Sequence, residues 1–496
     1  MTDVTHWIAG ECETGERTFD VFNPATGEAI RRVALGDATT VERAIEAARE
    51  AQRAWRDLPP AKRAQVMFRF KALLERDADD ICRLIAEEHG KVLEDAMGEL
   101  KRGIENVEYA CGVPELLKGE YSHNAGPDID TWSNHQPLGI VAGITPFNFP
   151  AMVPLWMYPM AIACGNAFIL KPSEQVPSAA VKMAELLDEA GLPRGIFSVV
   201  HGDREVVEAL IDASAVRAVS FVGSTPVAKA IYRRCADNGK RVQALGGAKN
   251  HAVVLPDADL DNASSTLIGA AFGSAGERCM AISVAVCVGD DTADALVGKI
   301  ADQARTLKIG PGTDKGLDMG ALVNATHRDR VAGYIAQGVE AGADLVVDGR
   351  EHPVVEGTPG YFLGATLFDR VTTEMDIYRD EIFGPVLCVV RVETFEEAMA
   401  LINAHQYGNG TCVFTRDGEA GRRFADAIEV GMVGINVPLP VPVAFHSFGG
   451  WKESLFGDLH AYGPDAVRFY TRRKAVSQRW PKRSQQETAQ FNFPSN

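Results

Sequence analysis

LGIVAGITPFNFPAMVPLWMYPMAIACGNAFILKPSEQ, residues 138–175, sets the architecture of this chain. Two short apolar runs, at 138–144 and 166–170, flank an apolar segment, and no Asp, Glu, Lys or Arg occurs between Asp130 and Lys171. A hydropathy scan could read a membrane span here, but its prolines would break a spanning helix: Pro137, Pro146, Pro150, Pro154 and Pro159. The stretch therefore predicts a buried strand, a sharp turn and a helix deep in a large core.

Strand and helix patterns alternate on the C-terminal side of this stretch. Apolar runs predict strands at 196–200, 216–223 and 251–255, and amphipathic patterns predict helices at 178–190 and 226–238. Regular alternation of this kind is typical of a parallel, doubly wound α/β sheet. Because ligands bind such sheets at the carboxyl ends of the strands, the turns after the strands are the first candidates for a functional site.

A second α/β series begins near residue 260 and predicts a second lobe. Its elements are predicted helices at 259–272, 292–306 and 328–341 and predicted strands at 283–289, 386–392, 410–415 and 432–436. Upstream, apolar stripes predict helices at 40–57 and 92–111. After residue 465, VRFYT (467–471) predicts a strand, and the basic, polar end that follows must either pair with another segment or fray.

Length and composition exclude several classes of protein. The 496 residues are too many for one ordinary core, and 46% hydrophobic with 24% charged residues is typical of a soluble globular chain. With 50 basic and 67 acidic residues the net charge is -17, so we expect no nucleic-acid or membrane partner. The nine cysteines are scattered without a CxxC or Cys/His cluster, and the N-terminus lacks a signal-peptide pattern. We expect reduced thiols in a cytoplasm, and no metal site.

Asn148 lies in the turn after the first parallel strand, between two prolines and two phenylalanines in TPFNFP (145–150). Held rigidly there, its neutral side-chain amide could stabilise a developing oxyanion. A buried asparagine that ties down its own loop is the more common outcome for such a local sequence.

Two turns carry weak nucleotide-binding signals. KPSEQ (171–175) ends the next strand, where Lys171 and Glu174 could hold ribose hydroxyls, although Ser173 and Glu174 could also form a helix cap. FVGSTPVA (221–228) is a glycine turn that opens a helix, whose backbone amides could meet a phosphate. It lacks the second and third glycines of GxGxxG, so it is poor evidence of a dinucleotide on its own.

Cys279 is the strongest candidate nucleophile. It lies in the small-residue loop GSAGERCM (273–280) beside Arg278, whose charge favours the thiolate. A given cysteine in a cytoplasmic protein is usually inert, but the polar flank distinguishes Cys279 from Cys164 and Cys287, which lie in apolar runs. The sequence contains neither the motif order of a serine hydrolase nor HExxH.

Two further charged residues receive no role from the local sequence. Glu381 in DEIFGP (380–385) precedes a strand, where the simplest interpretation is a solvated turn acid. Arg102 lies off the apolar stripe of its helix, so periodicity predicts a cation that faces solvent.

Taken in order, the motifs TPFNFP, KPSE, FVGST, ALGGAKN, GERC, EIFGP and FGGWKES resemble those of the aldehyde dehydrogenase superfamily, over nearly the whole chain from NPATGE (23–28) to the tail. The resemblance implies an α/β fold with a Rossmann-type NAD-binding domain (1–120 and 139–250) and an α/β catalytic domain (251–450). It also implies a small oligomerisation element (121–138 and 465–496) that pairs across subunits in a homotetramer, or at least a dimer.

The same resemblance implies roles for individual residues. Cys279 would attack the aldehyde and carry a thioester, while the Asn148 amide and the backbone amide of Cys279 would form the oxyanion hole. The positions implied for NAD are Lys171 and Glu174 at the adenosine ribose, Ser224 by the pyrophosphate, Glu381 on the nicotinamide ribose, and Thr145, Phe147, Gln175 and Gly246 along its length.

One departure from the superfamily pattern points to coenzyme A. Ala244 stands where hydrolytic members carry the glutamate of ELGGK, which activates water. An alanine cannot take a proton, whereas a thiol such as coenzyme A needs less help near neutral pH. The departure therefore predicts a CoA-acylating enzyme, and a hydrolytic enzyme that releases the free acid is the alternative.

Longer segments are similar to methylmalonate-semialdehyde dehydrogenases: KRGIENVEYA (101–110), TPFNFPAMVPLWMYPMAIACGN (145–166), GAKNHAVVL (247–255) and GSAGERCM. In that family two arginines, matching Arg102 and Arg278, hold the carboxylate of the substrate, and arginine can grip a carboxylate with two hydrogen bonds. The similarity implies a small aldehyde with a β-carboxylate as the substrate, with NAD as cofactor and coenzyme A as co-substrate. The products would be acetyl-CoA or propionyl-CoA, CO2 and NADH.

Two other classes of protein remain as alternatives. A cysteine thioesterase would need a histidine base, and none can be identified from the sequence. A non-enzymatic structural relative would be expected to lose active-site residues, yet Cys279, Asn148 and Glu381 are all present.

Overall fold

The computed structural model describes residues 2–480, which form 23 strands and 17 α-helices. The strands are β1 (Thr2–Val4), β2 (His6–Ile8), β3 (Glu11–Glu13), β4 (Arg17–Asn23), β5 (Glu28–Leu35), β6 (Tyr121–Gly126), β7 (Ile129–Pro137), β8 (Ile140–Ile144), β9 (Ala167–Lys171), β10 (Phe197–Val199), β11 (Val216–Val222), β12 (Arg241–Leu245), β13 (Asn250–Val254), β14 (Ile282–Val288), β15 (Asp344–Val347), β16 (Thr366–Asp369), β17 (Val386–Val392), β18 (Tyr407–Gly408), β19 (Gly410–Phe414), β20 (Met432–Ile435), β21 (Trp451–Lys452), β22 (Leu455–Phe456) and β23 (Thr471–Arg479).

The helices follow the periodicity of the sequence closely. They are α1 (Ala38–Asp57), α2 (Pro60–Arg76), α3 (Ala78–His89), α4 (Leu93–Cys111), α5 (Val113–Leu116), α6 (Met152–Ala163), α7 (Ser178–Glu189), α8 (Arg204–Asp212), α9 (Thr225–Asp237), α10 (Leu260–Phe272), α11 (Asp290–Ala304), α12 (Ala325–Glu340), α13 (Pro353–Gly357), α14 (Asp376–Arg379), α15 (Phe395–Ala404), α16 (Gly418–Ala427) and α17 (Gly463–Tyr470).

The first large sheet has eight strands in the order β22-β12-β11-β8-β9-β10-β2-β3. Its centre, from β12 to β10, is parallel, and the edge strands pair antiparallel. The chain runs from β8 outward to β10 in one direction and then returns to place β11 and β12 on the other side of β8. This reversal between β8 and β11 is a topological switch point, where open α/β sheets bind ligands.

The second large sheet has seven strands in the order β15-β16-β17-β14-β13-β19-β20. All of its pairings are parallel except that of β15. Each large sheet lies in a hydrophobic core of its own. The predicted mixed α/β fold with parallel sheets is therefore confirmed.

Helix α6 accounts for the apolar segment between the prolines. All twelve of its residues are buried, and it lies in the core of the first sheet. Trp55 Nε1 donates to the carbonyl of Ile162 (2.9 Å), and Arg63 Nε donates to that of Ala163 (2.8 Å). These side chains satisfy carbonyls that the end of a helix leaves without intrahelical partners. Among residues 2–480, no helix has the length and apolar character that crossing a membrane requires.

The predicted strand at VRFYT is wrong over most of its length. Residues 467–470 belong to α17, whose Ala466, Val467, Phe469 and Tyr470 pack into the first core. Strand β23 begins only at Thr471 and pairs antiparallel with β7 of the same chain, next to β6. Residues 465–470 of the predicted oligomerisation element are therefore helical, as part of α17. The remainder of the predicted tail, 481–496, lies outside the described residues.

We expect Phe168→Ala to lower the free energy of unfolding by about 3–5 kcal/mol, because it removes a buried ring from the first core. Phe168 packs against the rings of Tyr158, Phe197 and Tyr470, with centroids 6.1, 6.4 and 6.4 Å away. Urea denaturation at fixed protein concentration, followed by circular dichroism, measures the change. In the control Phe68→Ala the ring is 52% exposed, so the change should stay within about 0.5 kcal/mol. Equal losses in the two variants would contradict this account.

Candidate active site

The turns after β8, β9, β11 and β12 meet at the switch point of the first sheet. Because neighbouring parallel strands end at the same edge, residues that are far apart in sequence are brought together there. The predicted cofactor residues on or beside these turns are Thr145, Phe147, Lys171, Glu174, Gln175, Ser224 and Gly246.

Cys279 comes from the other half of the molecule, in the loop between α10 and β14. In the preceding turn, Ser274 (φ +54°) and Ala275 (φ +52°) adopt the left-handed conformation that residues with side chains rarely take. The carbonyl of Cys279 accepts hydrogen bonds from Nδ2 of Asn250 (2.9 Å) and Nδ2 of Asn409 (3.0 Å). These two amides, from β13 and from the start of β19, fix the main chain at the cysteine.

Cys279 lies between a cavity and a narrow recess. The cavity, here called the Cys279 cavity, measures about 270 Å³, which suits a small molecule. Its apolar wall consists of Phe149, Met152, Trp156, Met280, Leu439, Val441 and Phe448, and its charged residues are Lys91, Asp95, Glu99, Arg102 and Arg278. The recess on the other side of the cysteine is bordered by Asn250, Glu381 and Phe383.

Asn148 reaches the cysteine loop from the turn after β8. Its side chain is buried, and Nδ2 donates to the carbonyl of Glu277, two residues before Cys279, over 3.0 Å. The backbone carbonyl of Asn148 accepts a hydrogen bond from Nζ of Lys91 (2.6 Å). The side-chain amide of Asn148 is thus bonded to the cysteine loop and not to its own turn. This contact favours the prediction that Asn148 stabilises an oxyanion over the alternative that it only ties down its own loop.

The Cys279 side chain is a thiol in this structure. Burial, together with a smaller contribution from the charge of Glu381, raises the pKa of this thiol to about 12. Arg278 lowers the pKa of the thiol, but its effect is smaller than that of burial. Its guanidinium is paired with Asp95 at 2.5 Å. The effect of Arg278 on the thiol pKa thus has the predicted direction, but burial outweighs it. Cys279 is partly exposed and borders the cavity, so a ligand there can reach its thiol.

Arg102 and Arg278 both border the Cys279 cavity. As periodicity predicts, the side chain of Arg102 is 42% exposed, and it pairs with Glu105 one turn further along α4 (3.1 Å). Arg278 is more enclosed, and besides Asp95 its Nη1 contacts the carbonyl of Gly269 (3.3 Å). The cavity therefore holds two guanidinium groups, one at its mouth and one inside.

Lys171 and Glu174 lie at the carboxyl end of β9, where Nζ and Oε2 form an ion pair of 2.9 Å. Gln175 beside them accepts a hydrogen bond from Nδ2 of Asn324 (2.7 Å), in the other half of the molecule. The hydroxyl of Thr145 is buried without a hydrogen-bond partner among the described residues. Ser224 is exposed at the N-cap of α9. Polar groups on these turns are thus available to a ligand.

Glu381 is not the solvated turn acid that its local sequence suggests. Its Oε1 accepts a hydrogen bond from the backbone N–H of Ala248 (2.9 Å), and burial raises the pKa of the carboxyl to about 7. Glycines in the turn after β12 make this approach possible. A Cβ on Gly246 would lie 2.7 Å from the carbonyl oxygen of Glu453, and a Cβ on Gly247 would lie 2.7 Å from Oε2 of Glu381.

Phe147 packs among rings from three other segments. Its centroid lies 5.9 Å from that of His89, 5.9 Å from that of Phe383 and 6.3 Å from that of His327. Nε2 of His327 also contacts the carbonyl of Phe383 at 2.6 Å. The ring therefore helps to join the turn after β8 to the loop that carries Glu381.

Sequence reasoning missed the acid inside the cysteine motif. Glu277 is wholly buried, with Oε2 3.6 Å from Nε2 of His89 and Oε1 3.5 Å from Nε2 of His327. Burial raises the pKa of Glu277 well above its usual value and lowers that of His89 well below its own. Burial therefore favours the uncharged forms of this acid and of the imidazole beside it. The letters GERC contain Glu277, but no local pattern shows that its surroundings are apolar.

A buried ion pair between Lys91 and Glu99 was also missed. Their Nζ and Oε2 atoms are 2.8 Å apart, and neither side chain is exposed. Glu99 Oε1 also accepts the backbone N–H groups of Ala151 (2.8 Å) and Met152 (3.1 Å), where α6 begins. The two residues straddle the start of α4, and charged residues at such positions usually face solvent.

Comparison with known proteins agrees with this geometry. Residues 10–476 match the Aldehyde dehydrogenase family. The chain is 68% identical over 496 residues, the whole of both proteins, to the malonate-semialdehyde dehydrogenase of Pseudomonas aeruginosa. It is 49% identical to malonate-semialdehyde dehydrogenase 2 of Oceanobacillus iheyensis, over 97% of this chain and 99% of that protein.

Solved structures show the same relationship. The crystal structure of methylmalonate-semialdehyde dehydrogenase from Oceanimonas doudoroffii matches with a TM-score of 0.96 at 64% identity, over 97% of this chain and 99% of the other. A relative from Sinorhizobium meliloti, crystallised with NAD, also gives a TM-score of 0.96, at 51% identity over 97% of this chain and 99% of the other. With the motif order, the fold and the cysteine site in agreement, this chain belongs to the aldehyde dehydrogenase family.

Proposed function

We propose that this protein oxidises and decarboxylates malonate or methylmalonate semialdehyde, with NAD as cofactor and coenzyme A as acyl acceptor, to acetyl-CoA or propionyl-CoA. The observation that carries the proposal is the Cys279 cavity, in which a partly exposed thiol and two guanidinium groups border one small space. The names of the relatives from Pseudomonas aeruginosa and Oceanimonas doudoroffii support the same class of substrate.

The cavity matches a short aldehyde that carries a carboxylate. The Arg278 guanidinium is 17% exposed and borders the cavity, so a carboxylate there would gain charge-assisted hydrogen bonds in partly desolvated surroundings. Arg102 adds a second positive charge at the mouth. Met152, Trp156 and Phe448 form apolar surface that can contact a methyl group. Since one methyl group is worth only about 1–3 kcal/mol in a pocket, we propose that both semialdehydes are accepted.

The residues at the switch point fit NAD. The unpartnered Thr145 hydroxyl is a buried polar group that a ligand would satisfy, and the turns around it carry charged and polar side chains. When bound, NAD accepts the hydride of the aldehyde carbon. The Glu174 carboxylate would repel a 2′-phosphate, which favours NAD over its phosphorylated form. The residues that would hold NAD are Lys171, Glu174, Ser224 and Glu381, with Thr145, Phe147, Gln175 and Gly246 around it.

Cys279 would act as the nucleophile. Its thiol must first lose a proton, after which the thiolate attacks the aldehyde carbon, and oxidation leaves a thioester on Sγ. One amide hydrogen of Asn148 is bonded to the carbonyl of Glu277, so the other is free to donate to the developing oxyanion together with the backbone N–H of Cys279. The contact with Glu277 thus orients the amide without consuming both of its hydrogens.

Ala244 favours a thiol over water as the acceptor of the acyl group. It is fully buried in β12 and has no atom that can take a proton from water. A fraction of the coenzyme A thiol is ionised near neutral pH, and this thiolate can attack the thioester with less assistance than water needs. The substrate carboxylate is β to the acyl carbonyl, which can accept the electrons of the breaking bond as an enolate, so CO2 is the second product.

We also propose a homotetramer, assembled as a dimer of dimers, in the cytoplasm. The three-stranded sheet β23-β7-β6 leaves the outer edges of β23 and β6 without a partner strand among the described residues. Unpaired edges of this kind are sites at which strands of another subunit can add. The nine cysteines, all within the described residues, form no disulfide, which supports a reducing compartment.

NADH formation from malonate semialdehyde and NAD, with and without coenzyme A, tests the proposal. We expect steady turnover only with coenzyme A, and acetyl-CoA as the product, because Ala244 provides no base for hydrolysis. Absorbance at the NADH band and mass spectrometry of the products measure both. Equal rates without coenzyme A, with release of a free acid, would establish the hydrolytic alternative.

Replacement of the nucleophile tests the covalent route. Cys279→Ala should lower kcat by about 10³-fold or more, because the thioester can no longer form. The control Cys12→Ala removes an exposed thiol outside the cavity and should leave kcat unchanged. Stopped-flow measurement of NADH gives both the first turnover and the steady rate. A variant without Cys279 that keeps a normal first turnover would exclude the covalent mechanism.

The raised thiol pKa predicts a pH dependence in the protein without added ligands. Below a pKa of about 12 the thiolate fraction grows with pH, so alkylation of Cys279 by iodoacetamide should accelerate about tenfold per pH unit from pH 7 to pH 9. Mass spectrometry of the peptide that contains Cys279 measures the rate. In urea-unfolded protein the same rate should level off above the ordinary thiol value of about 8.5. A plateau below pH 8 in the folded protein would contradict the burial effect.

A further inference from the structure

Asp95 joins helix α4 to the cysteine loop at two points. It lies in the first turn of α4 and borders the Cys279 cavity. Its Oδ1 pairs with Nη2 of Arg278 at 2.5 Å, and its Oδ2 accepts the backbone N–H of Ser274 at 2.9 Å. One carboxylate therefore contacts both the strained turn before Cys279 and the arginine next to it.

The guanidinium of Arg278 occupies a closely fitted position. Besides Asp95, it contacts the carbonyl of Gly269, and it lies against the bare Cα of Gly273. A Cβ on Gly273 would lie 2.5 Å from Nη1, so any larger residue would displace the group. Because a partly buried cation without a partner is costly, the Asp95 carboxylate is what keeps the guanidinium at the cavity wall.

The charges around the cavity nearly cancel. Three cations and two acids line it, and the third acid that pairs with these cations is Glu105, which lies 3.1 Å from Arg102. Lys91 and Glu99 form their own buried pair at 2.8 Å, and Asp95 offsets Arg278.

We propose that Asp95 is a positioning residue that holds the Arg278 guanidinium ready for the substrate carboxylate. The proposal rests on the proposed function, in which Arg278 binds that carboxylate. Asp95 would thus select aldehydes that carry a carboxylate without touching the reacting carbon.

The test compares malonate semialdehyde with propanal, which has the same three carbons but no carboxylate. Asp95→Asn keeps an oxygen for the Ser274 N–H but loses the charge that pairs with Arg278. We expect the ratio of kcat/KM for malonate semialdehyde to that for propanal to fall about 10- to 100-fold, mainly through KM, as for loss of a charged hydrogen bond. The control Glu94→Gln removes an exposed acid from the same helical turn and should leave the ratio unchanged.

A double-mutant cycle with Arg278→Gln shows whether Asp95 acts through Arg278. Once Arg278 is replaced, Asp95→Asn should cause no further fall in the ratio, because the group that it positions is gone. Gly273→Ala, which displaces the guanidinium without a change of charge, should lower the ratio as well and covers the case in which Asp95→Asn does not fold.

Two outcomes would overturn the proposal. Equal losses for both substrates in Asp95→Asn would mean that Asp95 only anchors the turn at Ser274, and additive losses in the cycle would mean that it acts independently of Arg278. Failure of the proposed function has a different signature. In that case the unmodified protein would not prefer malonate semialdehyde to propanal, or Arg278→Gln alone would leave the ratio unchanged.

Discussion

The buried ion pair between Lys91 and Glu99 is the interaction on which the active-site geometry depends. Each charge has lost its water and is satisfied by the other and by backbone groups. Glu99 holds the start of α6, at Ala151 and Met152, and Lys91 holds the carbonyl of Asn148. These hydrogen bonds fix the turn after β8 in place. The side-chain amide of Asn148 can therefore contact the cysteine loop, at the carbonyl of Glu277.

Helix α4 combines this support with a share of the Cys279 cavity wall. Asp95, Glu99 and Arg102 are spaced four and three residues apart, which places them on one face of the helix, toward the Cys279 cavity. Asp95 contacts the cysteine loop, and Glu99 supports the turn after β8 that carries Asn148. Arg102 provides positive charge at the mouth of the Cys279 cavity. Binding and chemistry therefore share one rigid element, so a shift of α4 would disturb both.

The catalytic apparatus is complete only where the two large sheets meet. The first sheet contributes the turns proposed to bind NAD, and the loop of Cys279 precedes β14 of the second. Hydrogen bonds cross between the halves from Asn148 to Glu277, from Ala248 to Glu381 and from Asn324 to Gln175. They align the proposed nucleophile from one half with the proposed donors from the other, and such alignment is a large part of the advantage of an enzyme.

Apolar periodicity was enough to predict the parallel α/β fold, because apolar residues recur with different periods in strands and in helices. The order of the motifs along the chain was enough to single out Cys279 and Asn148. Periodicity failed at residues 467–470, where aromatic and β-branched residues that fit a strand pack into the core as helix α17. Only the tertiary structure decided the electrostatics. Arg278 is paired with Asp95, 183 residues away in the chain. Burial raises the pKa of the Cys279 thiol, and the Glu381 carboxyl is partly buried and accepts the backbone N–H of Ala248. Charge interactions depend on distance and desolvation between groups that the fold brings together, and no local pattern encodes either quantity.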